Sequence, residues 1–160
     1  MSAEPEHLRE LTISRVYDAP ARLLFQAWSE AEHISRWFGP VGWPITLCEM
    51  DFRVGGRWRF AMTGESGVQN TPFGGQYLAI EPNRRIVFDN AFEEPGSEKM
   101  VMTVTFDEDA VGRTAVRLHT LFGSIAQYKD YTGQGFVEGT NSGLDQLADV
   151  VVELASRQGA

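Results

Sequence analysis

Histidine and cysteine, which often serve as general bases, nucleophiles and metal ligands, are rare in this sequence, and no recognisable catalytic or metal-binding pattern occurs. The three histidines are scattered: His7 lies in the N-terminal segment, His33 in a polar helical stretch and His119 on the polar side of a strand. With a single cysteine there is no metal-ligand spacing, and no nucleophile elbow, phosphate loop or dinucleotide fingerprint occurs. We therefore expect no metal and no cofactor, and the catalytic residues, if any, stay unknown.

Three further side chains have two interpretations each. Asp51 and Arg53 share a strand face just before the turn at Gly55-Gly56, and we expect a surface pair there. In an enzyme, Asp51 and His119 would be the acid–base candidates. Cys48 falls on the apolar face of its strand, which favours a buried, inert thiol over a reactive one.

Aromatic side chains point to a different kind of chemistry, the recognition of an apolar molecule. Small-molecule sites are mostly apolar with a few polar groups, but aromatic residues also build ordinary cores. Both interpretations stay open for this set. The candidate ligand-binding residues are Trp37, Met50, Trp58, Phe60, Tyr77, Phe88, Phe136 and Thr140.

The elements that position these residues follow from periodicity and turn signals. A first strand is predicted at Leu11–Tyr17, and a helix should begin at Pro20. Ser29 with Glu32 fits a capping box, so a second short helix is predicted to start at Ser29 and to end at Gly39-Pro40. Six more strands are predicted at Ile45–Phe52, Arg57–Thr63, Gly75–Ile80, Arg85–Asn90, Met100–Phe106 and Thr114–Leu121.

The C-terminal region predicts a long helix, from about Gln134 to Arg157, after a short helical turn capped by Ser124. Within it, Gly135, Gly139 and Gly143 recur every four residues, although each glycine inside a helix costs about 1 kcal/mol relative to alanine. Three explanations stay open: close packing against a sheet, the wall of a cavity, or a broken helix. A cavity formed this way should lie opposite Trp58 and Tyr77.

Alternation in the strands predicts one apolar face and one polar face, and the long helix is the large element available to cover the apolar face. The predicted fold is α+β, a seven-stranded curved antiparallel sheet around the C-terminal helix, with two short helices after the first strand. We expect one domain over residues 10–157, preceded by a frayed polar lead-in at residues 1–9.

Composition limits the classes of partner. The chain has 160 residues and a formal net charge of −8, which disfavours nucleic acid as a partner. No apolar run approaches the roughly 20 residues of a membrane span, and the polar N-terminus has no signal-peptide pattern. With one cysteine, a reducing compartment is the simple interpretation, so we expect a cytoplasmic protein. The sequence leaves open whether the chain forms a homodimer.

Five segments carry a resemblance to a known family. They are RVYDAPARLLFQAWSEAEHISRWFGP at 15–40, CEMDFRVGGRWRF at 48–60, GGQYLAIEPNRRIVF at 74–88, VMTVTF at 101–106 and GFVEGTNSGLDQLADVV at 135–151. In this order they resemble the SRPBCC or START-like superfamily, whose fold is called helix-grip. Within it, the chain is similar to bacterial proteins related to the activator of the ninety-kilodalton heat-shock-protein ATPase.

The resemblance implies a ligand-accessible cavity but does not fix a function. Our first hypothesis is binding of a small hydrophobic or aromatic molecule, because cavity-forming features are visible while a catalytic constellation is not. The alternatives are cofactor-free catalysis on such a molecule and a cochaperone-like interaction. The sequence starts close to the first strand, without the separate N-terminal domain of eukaryotic activators, so we do not expect strong ATPase stimulation. Two positions depart from the family pattern: Ala79 stands where glutamate is common, and Thr140 where an aromatic residue is common.

Overall fold

The computed structural model describes residues 4–158 and contains seven strands and four α-helices. A single 3-10 turn, Glu6–Leu8, precedes the first strand. The strands are β1 Glu10–Tyr17, β2 Ile45–Met50, β3 Arg57–Met62, β4 Phe73–Glu81, β5 Arg85–Phe92, β6 Met100–Glu108 and β7 Thr114–Leu121. The helices are α1 Ala21–Ser29, α2 Ala31–Ile34, α3 Ile125–Gly133 and α4 Phe136–Gln158.

All seven strands form one antiparallel sheet in the order β1-β7-β6-β5-β4-β3-β2. Neighbours from β2 to β7 are consecutive in sequence, as expected for a meander, and β1 adds to the free edge of β7. The turn at Pro82-Asn83 places Asn83 at φ 63°, a left-handed conformation that asparagine tolerates better than most residues. The predicted seven-stranded α+β fold is confirmed.

One face of the sheet is apolar because buried side chains alternate along its strands. In β6, Met100, Met102, Val104 and Phe106 are buried while the residues between them are partly exposed. β7 repeats the pattern with Thr114, Val116, Leu118 and Thr120. Leu144, Leu147, Val150, Val151 and Leu154 of α4 join this face in one hydrophobic core.

Helix α4 is anchored to the rest of the fold by polar contacts of three consecutive residues near its middle, 144–146. The Tyr17 hydroxyl donates to the Leu144 carbonyl at 2.8 Å, and Gln146 Nε2 donates to the Gly39 carbonyl at 2.7 Å. Arg15 forms an ion pair with Asp145 at 2.7 Å. These contacts fix the register of α4 over the sheet. Although α4 has 23 residues, no helix within residues 4–158 is apolar enough over its length to span a membrane.

The two predicted capping boxes differ in outcome. Ser124 does cap α3, because its Oγ accepts a hydrogen bond from the backbone N–H of Gln127 at 3.0 Å. The prediction at Ser29 is wrong, since Ser29 is the last residue of α1 and α2 begins at Ala31 after an extended Glu30. The apolar spacing of α1 runs through Trp28 as expected, but the helix continues one residue further, so Ser29 lies inside α1 and cannot cap α2.

Residues 4–9, before β1, are held by hydrogen bonds rather than frayed, although residues 4–8 are exposed, and residues 1–3 of the expected lead-in lie outside the described residues. Arg9 is buried, and its guanidinium donates to the carbonyl oxygens of Phe122, at 2.6 Å, and Glu4, at 2.9 Å. The Glu4 carboxylate in turn accepts from the N–H of Ile125 at the start of α3. The polar composition of this segment therefore satisfies backbone groups at the end of the sheet.

Candidate functional site

A cavity of about 510 Å³ lies between the apolar face of the sheet and the N-terminal half of α4, with α3 along one side. This is within the range of small-molecule sites, and the lining is mostly apolar. The first group of lining residues is Trp28, Trp37, Phe38, Pro40, Met62, Phe73, Asn90, Ala91, Phe92, Glu94, Met100, Met102 and Leu118. The second group, from α3, α4 and the link between them, is Asp130, Tyr131, Gln134, Gly135, Phe136, Gly139, Thr140, Gly143 and Leu144.

The three spaced glycines have three different roles, which together make room for the cavity. Gly135 has φ 91° and forms the left-handed link between α3 and α4. A Cβ at Gly143 would stand 2.9 Å from the carbonyl oxygen of Trp37, so this glycine permits close packing. A Cβ at Gly139 would meet only Pro40 Cγ at 3.5 Å, so this position is cavity wall. Each of the three explanations drawn from the sequence thus applies to one glycine.

Two buried polar atoms belong to side chains that line the cavity and have no hydrogen-bond partner within residues 4–158. They are Trp28 Nε1, a donor, and Asn90 Oδ1, an acceptor. The Asn90 Nδ2 group donates weakly to Met102 Sδ, at 3.9 Å, while its oxygen has no partner among the described residues. Leaving a buried polar group unpaired costs about 1–3 kcal/mol, and because both atoms are inaccessible they lie behind the surface of the wall rather than in contact with the open volume.

The mouth of the cavity is acidic. Glu94 and Asp130 line it and are exposed, and Gln134 beside them donates to the Asp130 carboxylate. Burial raises the pKa of the Tyr131 phenol; the carboxylates of Asp130 and, more weakly, Glu94 raise it further, while Gln127 opposes them. Both carboxylates therefore act on the same side chain of the cavity wall.

Tyr131 is held there by an aromatic cluster. Its ring lies 5.9 Å from that of Phe122, 6.0 Å from that of Phe136 and 6.3 Å from that of Phe92, measured between ring centroids. Edge-to-face and tilted pairs of this kind contribute about 0.5–1.5 kcal/mol each beyond the area they bury. The cluster joins α3, α4 and β5, and so keeps the three elements that frame the mouth together.

Three of the eight candidate ligand-binding residues line the cavity: Trp37, Phe136 and Thr140. Trp37 is 3% exposed and donates through Nε1 to the Ala27 carbonyl at 3.0 Å, which fixes its ring between α1 and the cavity. Thr140 lies one turn after Phe136 on α4, as the helical spacing requires.

The other five lie elsewhere. Trp58, Phe60, Tyr77 and Phe88 surround a void of only about 10 Å³, deeper in the core. Rings of Phe60 and Phe88 stand 4.9 Å and 5.4 Å from that of Trp58, so aromatic packing fills the space expected to be cavity. Met50 borders a polar groove lined by charged residues of β2 to β5. The expected position of the cavity, opposite Trp58 and Tyr77, is thus displaced towards α3.

Several cavity residues were absent from the candidates, and one had a readable signal. Asn90 and Phe92 alternate with Phe88 on the inward face of β5, so a polar residue stands between two aromatic ones on an apolar face. The strand was predicted to stop at Asn90, which hid this pattern. The contributions of Asp130, Tyr131 and Gln134 depend on how α3 folds back along the sheet, and local spacing carries no such information.

The side chains with possible reactivity lie away from the cavity wall. Asp51 and Arg53 form an exposed ion pair at 2.9 Å, which confirms the surface pair, and His119 faces Glu10 at 3.9 Å. The placement of His33 in a polar stretch is corrected, because its side chain is buried and lies 3.2 Å from the Glu30 carboxylate. Because α2 has only four residues, helical periodicity could not predict which of its side chains are buried.

Cys48 is partly buried beside the core, with Sγ 4.0 Å from the Ala31 carbonyl. Burial raises the pKa of this thiol, so less thiolate forms at a given pH and nucleophilic attack slows. We expect labelling by a disulfide reagent at pH 7.5 to be several-fold slower in native protein than in denaturant. Equal rates in the two conditions would contradict the partly buried placement.

Comparison with known proteins agrees with this fold. Residues 18–152 match the family described as activator of Hsp90 ATPase homolog 1-like protein. No curated protein is detectably similar in sequence.

Solved structures share the architecture over nearly the whole chain. A Nitrosomonas europaea protein has 22% identity and a TM-score of 0.81, with 93% of this chain and 97% of that one covered. A Chromobacterium violaceum protein has 26% identity and a TM-score of 0.76, with 89% and 96% covered. An Arthrobacter aurescens protein has 24% identity and a TM-score of 0.84, with 94% and 90% covered. The sequence match over most of the chain, together with this helix-grip fold, shows that the protein belongs to the activator of Hsp90 ATPase homolog 1-like family of the SRPBCC superfamily.

Proposed function

We propose that this protein binds a small hydrophobic molecule, with a ring or similar flat apolar part, in the cavity between α4 and the sheet. The observation that carries the proposal is a cavity of about 510 Å³ with a mostly apolar, aromatic-rich wall. Apolar walls supply the affinity of such a site, and a few polar groups orient the molecule within it.

The aromatic residues on the wall suit a flat molecule. Trp28 and Trp37 pack edge to face with centroids 4.5 Å apart, and Phe136 is fixed by Phe122 at 5.4 Å. Rings held in this way present rigid faces and edges to a ligand, so little side-chain entropy is lost when it binds.

Binding is favoured over catalysis because the wall offers no matched acid and base. Among residues 4–158, the ionisable side chains that line the cavity are Glu94, Asp130 and Tyr131, and the two carboxylates are exposed at its mouth. General acid–base catalysis needs a donor and an acceptor placed at the reacting bond, with pKa values tuned by burial or by neighbours. Catalysis on the ligand and a cochaperone-like role, the alternatives from the sequence, stay predictions.

Methionine methyl groups provide a direct test, because three of them line the cavity and one does not. Met62, Met100 and Met102 lie on the wall, whereas Met50 borders the groove outside. We expect titration with the neutral fluorophore N-phenyl-1-naphthylamine to shift the ¹³C-methyl signals of the first three and to leave that of Met50 in place. Assignment by single Met→Leu variants identifies each signal.

The same titration can contradict the proposal. Saturable binding that shifts Met50 alone would place the molecule in the outer groove. Absence of saturable binding by this probe and by apolar molecules extracted from native protein and identified by mass spectrometry would remove the proposed function.

A further inference from the structure

The charges around the cavity are of one sign. Among residues 4–158, no lysine, arginine or histidine lines it, whereas Glu94 and Asp130 stand at its mouth. Neither carboxylate forms an ion pair with another described residue. An anionic ligand would therefore meet like charge at the entrance and find no cation inside to compensate for it.

The polar groups at the mouth suit a ligand that donates hydrogen bonds. Glu94 and Asp130 are exposed there, and ionised carboxylates accept hydrogen bonds but cannot donate them.

We propose that the ligand is an amphipathic cation, with an apolar or aromatic body inside the cavity and a protonated amine at the mouth between Glu94 and Asp130. This inference depends on the proposed binding function and adds the charge of the ligand to it. The amine gains from the two carboxylates while staying partly hydrated, so it avoids the full cost of charge burial. Burial is the main cause of the raised pKa of Tyr131, and the carboxylates of Asp130 and, more weakly, Glu94 raise it further, in the direction that negative charge at the mouth would.

Three naphthalene derivatives that differ only in the polar end test the proposal. They are 1-naphthylmethylamine, a cation at neutral pH, 1-naphthylmethanol, which is neutral, and 1-naphthylacetate, an anion. Each competes with N-phenyl-1-naphthylamine for the protein at low ionic strength. We expect the amine to bind about fivefold tighter than the alcohol, and the acetate to bind more weakly than both. Added salt should reduce the preference, because the carboxylates at the mouth are exposed.

A matched pair of double variants separates the effect of the mouth carboxylates from the effect of the protein's overall charge. Glu94→Gln with Asp130→Asn removes both mouth carboxylates, and the amide oxygen at 130 can still accept from Gln134. Glu32→Gln with Asp149→Asn makes the same change of charge at exposed positions that do not line the cavity. The preference for the amine should fall to within about twofold in the first variant and persist in the second.

The outcomes distinguish the two proposals. If the alcohol binds as well as the amine, or if both double variants lose the preference equally, the cationic ligand is excluded while the cavity remains a binding site. If the alcohol and N-phenyl-1-naphthylamine do not bind and the amine does so without shifting the cavity methionines, both proposals fail. If none of the compounds binds, both fail as well.

Discussion

Replacing Thr140 by tryptophan is expected to weaken binding of N-phenyl-1-naphthylamine by about tenfold or more, while the protein stays folded. Thr140 lies on the α4 wall of the cavity, so an indole there would occupy the space that the probe needs. Because the space exists already, the new ring should gain dispersion contacts, and the free energy of unfolding should hold or rise. Fluorescence titration and urea denaturation on the same two proteins measure the two effects.

Thr140→Val is the matched control, since it removes the hydroxyl but keeps the branched shape. Its probe affinity should stay close to that of the native protein. A tryptophan variant that loses about 1–3 kcal/mol of stability and binds the probe normally would show that the site is overpacked by the ring and that the probe binds elsewhere. That result would contradict both the presence of an open cavity at Thr140 and the proposed binding function.

The sequence was sufficient to predict the fold because the alternation of apolar and polar residues in each strand shows which face of that strand is buried. Met102, Val104 and Phe106 alternate with polar residues, and the same period in the other strands selects a single apolar face. The stripe Leu144, Leu147, Val151 and Leu154 then supplies the helix that covers it. These signals are local, and the antiparallel pairing of successive strands follows from short turns.

The position of the cavity was harder to predict from the sequence, because it depends on where the packed side chains leave space unfilled. Trp58, Phe60, Tyr77 and Phe88 face inward as predicted, but their rings interlock and close the space between them. The open volume lies further along the sheet, where the position of α3 determines how far α4 stands from the sheet. A sequence shows which side chains point inward, whereas the gap between two elements depends on contacts made far apart in the chain.

Two glycines of α4, Gly139 and Gly143, are expected to respond in opposite ways to the same substitution. Gly139→Ala should raise the free energy of unfolding by about 0.5–1 kcal/mol, because alanine is the better helix former. The new Cβ meets only Pro40 Cγ, at an ordinary 3.5 Å. Gly143→Ala carries the same gain in helix propensity but should lower the free energy of unfolding by about 1–3 kcal/mol. Its Cβ would stand 2.9 Å from the Trp37 carbonyl oxygen and 3.3 Å from that of Phe38.

Each variant is the other's control, since both make the same substitution one helical turn apart. Urea denaturation with an unchanged dependence on denaturant concentration would attribute the difference to the native state. Equal stabilisation by both alanines would show that the backbone around Trp37 yields without cost, and that Gly143 is not a packing contact. If the two variants differ as expected, Gly143 allows α4 to pack closely against the segment that carries Trp37. On the preceding turn, Gly139 and Thr140 then face open volume. The cavity would be a consequence of this packing of α4, so probe binding by Thr140→Trp and the stability of Gly143→Ala would both report on it.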